Sequence, residues 1–194
     1  IETHSTKQYI DYILSIASNG KRIRPYNVAL TYSIYSGNDW HNIESTLIGI
    51  ELIHLMAIIH DDVMDNSDTR HGVMSVHTYI KEDLDTKTDT NTDTVSHTSH
   101  SLAILVGDLV FSWAYREFSK DNQTEDSWNI IHSLMEEVIV GEMMDVYKPN
   151  EKKASLNDIE KKMLLKTARY TFTHPLLLGA TLAGAEKENL LWIK

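Results

Sequence analysis

The chain has 194 residues, a formal net charge of −10 and no cysteine. That length suits one domain, and the absence of thiols excludes a disulfide framework or a thiolate metal site and favours a reducing compartment, with the cytoplasm as the expectation. The acidity argues against a nucleic-acid partner, because no basic stripe offsets it apart from the short cluster Lys21 to Arg24. No signal peptide is legible, although Ile1 is not an initiator methionine and the first residues are expected to be missing.

Apolar residues recur at helical spacing from the start. Tyr9, Ile10, Ile13, Leu14, Ile16 and Ala17 predict a helix over 6–18, and Val28, Leu30, Tyr32 and Ile34 predict a second over 25–36. Between them stands NGKRIRP. Arg24 precedes a proline and is expected to be extended, while Pro25 suits the first position of the next helix. Cations at a helix N-terminus, with its free N–H groups and positive dipole end, form a site for phosphate; the alternative is a basic surface turn.

A third helix over 42–66 ends in ELIHLMAIIHDDVMDNSDTRHG. The apolar stretch Leu47 to Ile59, interrupted by Glu51 and His54, falls short of the ~20 apolar residues a bilayer span needs, so no transmembrane segment is expected. Acids in a last helical turn are disfavoured by roughly 0.3–1 kcal/mol each. Asp61, Asp62 and Asp65 therefore either sit in solvent or gather a cation. Asp61 and Asp65 are four residues apart and share a face, with Cβ atoms ~5–6 Å apart, and His54 lies two turns back on that face. Two such carboxylates suit Mg²⁺, which keeps several waters and takes phosphate oxygens as its other ligands. A solvated helix end and a core histidine are the plainer readings of the same residues.

After a helix over 73–82, the run KEDLDTKTDTNTDTVSHTSH has hardly an apolar side chain to bury and predicts a polar loop insert over 83–100. Helical periodicity resumes at once, so the insert belongs within one domain. Helices over 101–119, 124–147, 155–172 and 175–185 complete an all-α chain, with Ser155 and Asp158 marking the start of the seventh. No strand alternation is convincing. Asp108, in the apolar ILVGDLVF, wants a partner. GEMMD puts Glu142 and Asp145 one turn apart, and KTARYTF puts Lys166, Thr167 and Tyr170 on a later helix, Tyr170 reading as core.

Taken in order, GKRIRP, ELIH followed by IHDDVMD, the R-x-G after it, AILVGDLVF, the G-x-x-x-D of GEMMD, and KTARYTF with PLLLGATLAGA resemble the trans-isoprenyl diphosphate synthase (polyprenyl synthetase) family from about Ile10 to Ala185. The resemblance implies a single-domain helical bundle of the isoprenoid synthase type with a central substrate cavity, usually homodimeric. It also implies Mg²⁺-dependent joining of an allylic diphosphate to isopentenyl diphosphate through ionisation, condensation and loss of a proton. By that likeness Asp61 and Asp65, with Asp62 in support, hold the metal. Lys21, Arg24 and His54 match positions that bind isopentenyl diphosphate, Arg70 the clamp on the allylic diphosphate, and Lys166 and Thr167 a pair that helps the allylic site. Met56 and Ala57 are expected to line the cavity below the metals, with Ile53 and Ile50 as deeper floor. No bulky aromatic stands at 56 or 57, so a product longer than the fifteen-carbon farnesyl diphosphate is expected.

Three departures accompany the match. His71 stands where the family has a second arginine, and Glu142 where it has a glutamine. The second aspartate-rich motif is absent although the match runs to the chain end without decay, so an incomplete chain is expected. The alternative is a subunit-like homologue that binds prenyl diphosphates without turnover. A carboxylate-bridged di-iron bundle is weaker, since its Glu-x-x-His pair occurs once, at Glu51 and His54.

Overall fold

Helical periodicity is realised along nearly all of the residues described by the computed structural model, which are 4–70, 72–88, 91–147 and 155–193. In chain order the helices are α1 (His4–Ala17), α2 (Ile23–Ser36), a 3₁₀ turn (Trp40–Ile43), α3 (Glu44–Met64), α4 (Val76–Lys87), α5 (Thr92–Phe118), α6 (Glu125–Val146) and α7 (Leu156–Met163). A π-helical segment (Leu164–Thr173), α8 (His174–Leu182) and α9 (Lys187–Leu191) follow. The expectation of no strand needs one correction. Thr69–Arg70 (β1) and Val73–Met74 (β2) pair as an antiparallel hairpin, Arg70 opposite Val73. Strands of two residues are too short to show alternation.

By their contacts the described residues fall into two compact units, one made of Ile1–Lys21 and Leu52–Trp113, the other of Arg22–Glu51 and Ala114–Lys194. In the first, α1 packs on α4, with Tyr9, Ile13, Val76 and Ile80 buried. Tyr12 and Tyr79 stack with ring centroids 3.8 Å apart. This packing corrects the expected loop over 83–100. Helix α4 continues to Lys87 because Asp83 accepts a hydrogen bond from the Tyr9 hydroxyl (3.0 Å) and pairs with Lys87 one turn on. Helix α5 starts at Thr92 and buries Val95 and Ser99, while the His100 ring stacks on buried His77. Tertiary contacts override a weak local propensity here.

In the second unit the dominant packing is α2 against α8. The two backbones touch at Gly179, where an added Cβ would lie 2.0 Å from the Val28 carbonyl oxygen. Thr31 donates to the Leu176 carbonyl (2.8 Å) and the Asn27 amide to that of Thr171 (2.9 Å), which satisfies buried polar groups at the contact. Helix α7 opens with the expected capping box between Ser155 and Asp158. The single helix expected over 155–172 is instead α7 followed by the wider π coil.

The 25 residues Trp40–Met64 are long and apolar enough to cross a bilayer by length and composition, with mean hydropathy 1.5 in their best window and 44% of that window buried in protein. Taken with its flanking turns the helix reaches a length and composition that Leu47 to Ile59 alone does not, and a core helix passes the same test.

Candidate active site

The acids at the end of α3 are placed by the way that helix stops. Asn66 adopts a left-handed backbone (φ 51°), and the Ser67 N–H reaches back to the Asp62 carbonyl at 2.9 Å, a closure that turns the chain into the hairpin. Arg70 on β1 is thereby returned to the helix terminus. Its Nε donates to Asp62 Oδ1 at 2.8 Å, and its Nη2 donates to Asp61 Oδ2 and Asp62 Oδ1, each at 2.6 Å. The cation sought at this helix end is thus, in this structure, Arg70.

The three carboxylates differ in environment. Asp62 is 2% exposed, and burial pushes its carboxyl above the usual range despite the opposing pull of Arg70. Asp61 is partly exposed and Asp65, one turn on, is exposed. Among the described residues no group of three or more His, Asp or Glu is gathered as a metal-ligand set. The residues fit a hard divalent cation in one way only. Asp65, which is exposed, and Asp61, whose side chain is 18% exposed with one oxygen on Arg70, offer oxygen donors to an ion that retains waters and draws its remaining ligands from phosphate. Asp62, the third expected ligand, is enclosed against Arg70.

Further back on α3, His54 and Ala57 are partly buried, whereas Met56 is 7% exposed and packs in the interior. His71 lies outside the described residues. Asp108, expected to need a partner in an apolar helix, has a largely exposed side chain, with His60 Nε2 at 3.7 Å. Gly107 beside it leaves room for the His60 ring, whose Nε2 would lie 2.2 Å from an added Cβ.

NGKRIRP departs from its expected geometry. Helix α2 begins at Ile23, so Arg24 is helical and Pro25 takes the third position, still within the first turn whose N–H groups lack intrahelical partners. Arg22 caps the helix in a left-handed conformation (φ 56°) and ion-pairs with Glu51. Arg24 stands over the Tyr170 ring, 4.2 Å from its centroid, and Nη2 donates to Thr171 Oγ1 at 3.0 Å. Burial lowers its pKa, with Tyr170 and Glu51 pulling the other way, and burial likewise pushes the Tyr170 phenol up. Lys21 is exposed. The structure thus directs Arg22 and Arg24 to protein partners instead of clustering three open cations.

The remaining expected residues converge on the end of α6. Gly141 lets the π segment approach, since a Cβ there would lie 2.6 Å from the Lys166 backbone nitrogen. Lys166 Nζ then reaches Glu142 Oε2 at 2.8 Å and Asp145 Oδ2 at 2.7 Å. Lys162 on α7 donates to the other Asp145 oxygen at 2.7 Å. The ammonium groups of Lys162 and Lys166 hold the Asp145 carboxyl down at about 2. Thr167 is exposed on the π coil, a geometry frequent at functional sites. Sequence reasoning missed Lys162. Its signal was present in the four-residue spacing to Lys166, which places both ammonium groups on one side of a helix.

The sequence profile of the polyprenyl synthetase family matches residues 4–193. A short chain isoprenyl diphosphate synthase of Methanocaldococcus jannaschii is 33% identical over 132 residues, covering 66% of this chain and 35% of that protein. A geranylgeranyl diphosphate synthase of Methanosarcina mazei is 25% identical over 177 residues, covering 89% and 48%. Among solved structures, geranylgeranyl pyrophosphate synthase from Corynebacterium glutamicum, complexed with isoprenyl diphosphate and magnesium, superposes with a TM-score of 0.86 at 26% identity, over 96% of this chain and 55% of that one. The chain thus spans a third to about half the length of these relatives. Its fold is that of the isoprenoid synthases, and the match along almost its whole length makes the chain a member of the polyprenyl synthetase family.

Proposed function

We propose that the protein is a trans-prenyltransferase that condenses an allylic diphosphate with isopentenyl diphosphate, giving a polyprenyl diphosphate one isoprene unit longer. The observation that carries this reading is the end of α3, where the partly exposed Asp61 and the exposed Asp65, one turn apart, adjoin an arginine returned on a hairpin. Asp61 and Asp65 would hold Mg²⁺, which when bound supplies charge stabilisation for the departing diphosphate. Arg70, with its fork of donors, is the group suited to exchange a carboxylate partner for diphosphate oxygens. Lys166, with Thr167, Asp145 and Glu142 around it, serves the allylic side. Lys21, Arg24, His54 and His71 serve isopentenyl diphosphate, Arg24 being held in place by Thr171 and Tyr170. During the reaction the allylic C–O bond breaks and diphosphate leaves. The new C–C bond then forms to isopentenyl diphosphate, and a proton is lost.

Location in the cytoplasm and α3 as a core helix belong to the same proposal. In support, Glu51 and Asp62 of α3 are paired with arginines from the second and first unit respectively, Arg22 and Arg70, and are not exposed as bare charges along it. A product longer than farnesyl diphosphate is favoured by Ala57, one turn before Asp61, whose methyl leaves space for a growing tail.

The test is turnover of the complete natural protein with isopentenyl diphosphate, a series of allylic primers and Mg²⁺. Asp61→Ala should lose orders of magnitude in rate while keeping its fold, and Ala57→Phe should shorten the product. Binding of prenyl diphosphates without any chain extension would replace the enzyme reading with that of a binding subunit.

A further inference from the structure

Arg70 meets Asp61 and Asp62 because the chain turns back after α3, so whatever holds that turn governs where the guanidinium stands. The returning segment leaves α3 at Asn66, whose left-handed backbone makes the turn, and enters α4 at the buried N-cap Ser75. Between these ends Arg70 sits on a hairpin of two residues per strand, which is not stable by its own pairing. Each end is held by a histidine from a helix. At the first, His100 of α5 places Nε2 at 3.2 Å from the Asn66 side-chain oxygen. Its Nδ1 lies 2.6 Å from the Ser96 carbonyl, which can only accept, so Nδ1 carries a proton and the ring is fixed in orientation. At the second end, buried His77 of α4 places Nδ1 at 3.1 Å from Ser75 Oγ, and the Ser75 N–H donates to the Asp68 carbonyl at 2.9 Å, closing the base of the hairpin. The two imidazoles stack with centroids 4.7 Å apart. Burial and then the neighbouring His100 lower the pKa of His77, so the inner ring of the stack is neutral.

We propose that His100, seated on the ring of His77, is a positioning residue that fastens the Arg70-bearing segment to α4 and α5 and so sets the guanidinium at the acids of α3. It acts through the turn at Asn66 and not at the reacting atoms. One imidazole meets Asn66 at its edge and His77 on its face, which ties the entrance of the segment to its exit. Helix α5 begins at Thr92, and burial of Val95 and Ser99 seats its first turns where His100 can make both contacts. The polar stretch that reads as loop in the sequence thus supplies a residue to the site. Release of the entrance frees Arg70 to leave the helix end, and a donor fork that is no longer held in place meets diphosphate oxygens less well.

Diphosphate as the ligand rests on the proposed prenyl transfer, so the experiment has two independent readouts on the complete protein. The first is calorimetric binding of inorganic pyrophosphate with Mg²⁺. His100→Phe keeps an aromatic ring on His77 and loses the bond to Asn66, whereas Asn66→Gly keeps the left-handed backbone and loses the same bond. Each should weaken binding about three- to tenfold, the range of one net hydrogen bond, and the two together should weaken it no further than either alone. In an Arg70→Met background His100→Phe should have no further effect, because it acts through Arg70; a general loss of stability would weaken binding in both backgrounds. The second readout is hydrogen exchange at the Ser67 amide, which closes the turn onto the Asp62 carbonyl. It should accelerate in both single variants while the amides of α1 keep their wild-type rates. Equal weakening by His100→Phe with and without Arg70, or additivity with Asn66→Gly, overturns the proposal, as does a Ser67 amide that exchanges at the wild-type rate. If the wild type binds no pyrophosphate, the prenyl transfer reading fails, while exchange at Ser67 still decides whether His100 fastens the segment.

Discussion

Two aspartates of this protein respond to their surroundings in opposite directions, and the difference is one of burial. Asp145 is held between two lysines near the surface, which depresses its carboxyl to about 2 from a usual 3.8. With the folded value below the unfolded one, its contribution to stability is fully present above about pH 4 and is lost as pH falls toward about 2. Asp145→Asn should therefore cost about 1 kcal/mol at pH 7 after allowance for solvent screening. The gap to wild type should close in urea denaturation at pH 2, and a gap independent of pH would refute the assignment. Asp62 is shifted the other way because desolvation outweighs Arg70. Its ionised form is disfavoured by folding, so protonation at low pH relieves the native state instead of harming it.

Helix-to-helix approach is controlled by glycines that the sequence displays without explaining. At Gly179 the obstacle to a Cβ is the backbone of α2, with Val28 O at 2.0 Å and Thr31 Oγ1 at 2.3 Å, so α2 and α8 would have to separate. At Gly107 the obstacle is the His60 ring, which can swing. Gly179→Ala is expected to destabilise by about 1–3 kcal/mol, as overpacking of a tight contact does, and Gly107→Ala by clearly less. Chemical denaturation of the two variants ranks them, and the reverse order would mean that α2 and α8 yield more easily than their contact suggests. The π coil is a similar case. Nothing in KTARYTF announces a wider helix, because i,i+4 and i,i+5 bonding use the same residue types and differ only in what packs outside.

On the scale of the molecule, α5 carries Ile104, Leu105 and Leu109 at 44%, 62% and 39% exposure. Exposed apolar side chains grouped on one helix suit burial against another chain, and the homodimer that the family resemblance implies is expected to use them. Leu105→Glu should convert such a dimer to monomer in analytical ultracentrifugation of the complete protein without lowering its helix content. An unchanged mass would place the dimer contact elsewhere.

The sequence by itself determined the helical class and the family, since motif order and 3.6-residue periodicity are local properties. It also located the anomaly at Asp61, Asp62 and Asp65. Which cation relieves those acids was decided only in three dimensions, because Arg70 returns to the helix end through a turn at Asn66 and a hairpin too short to show a pattern. The helical state of residues 92–100 was decided there too, by burial of Val95 and Ser99 against a composition that favours loop. The same holds for Arg24, which the sequence offers to phosphate and the fold fixes against Tyr170 and Thr171, and for Lys162, whose partner lies seventeen residues away. Local patterns specify which segments are helical, but the pairing of a charge depends on where two segments meet, and that is a property of packing.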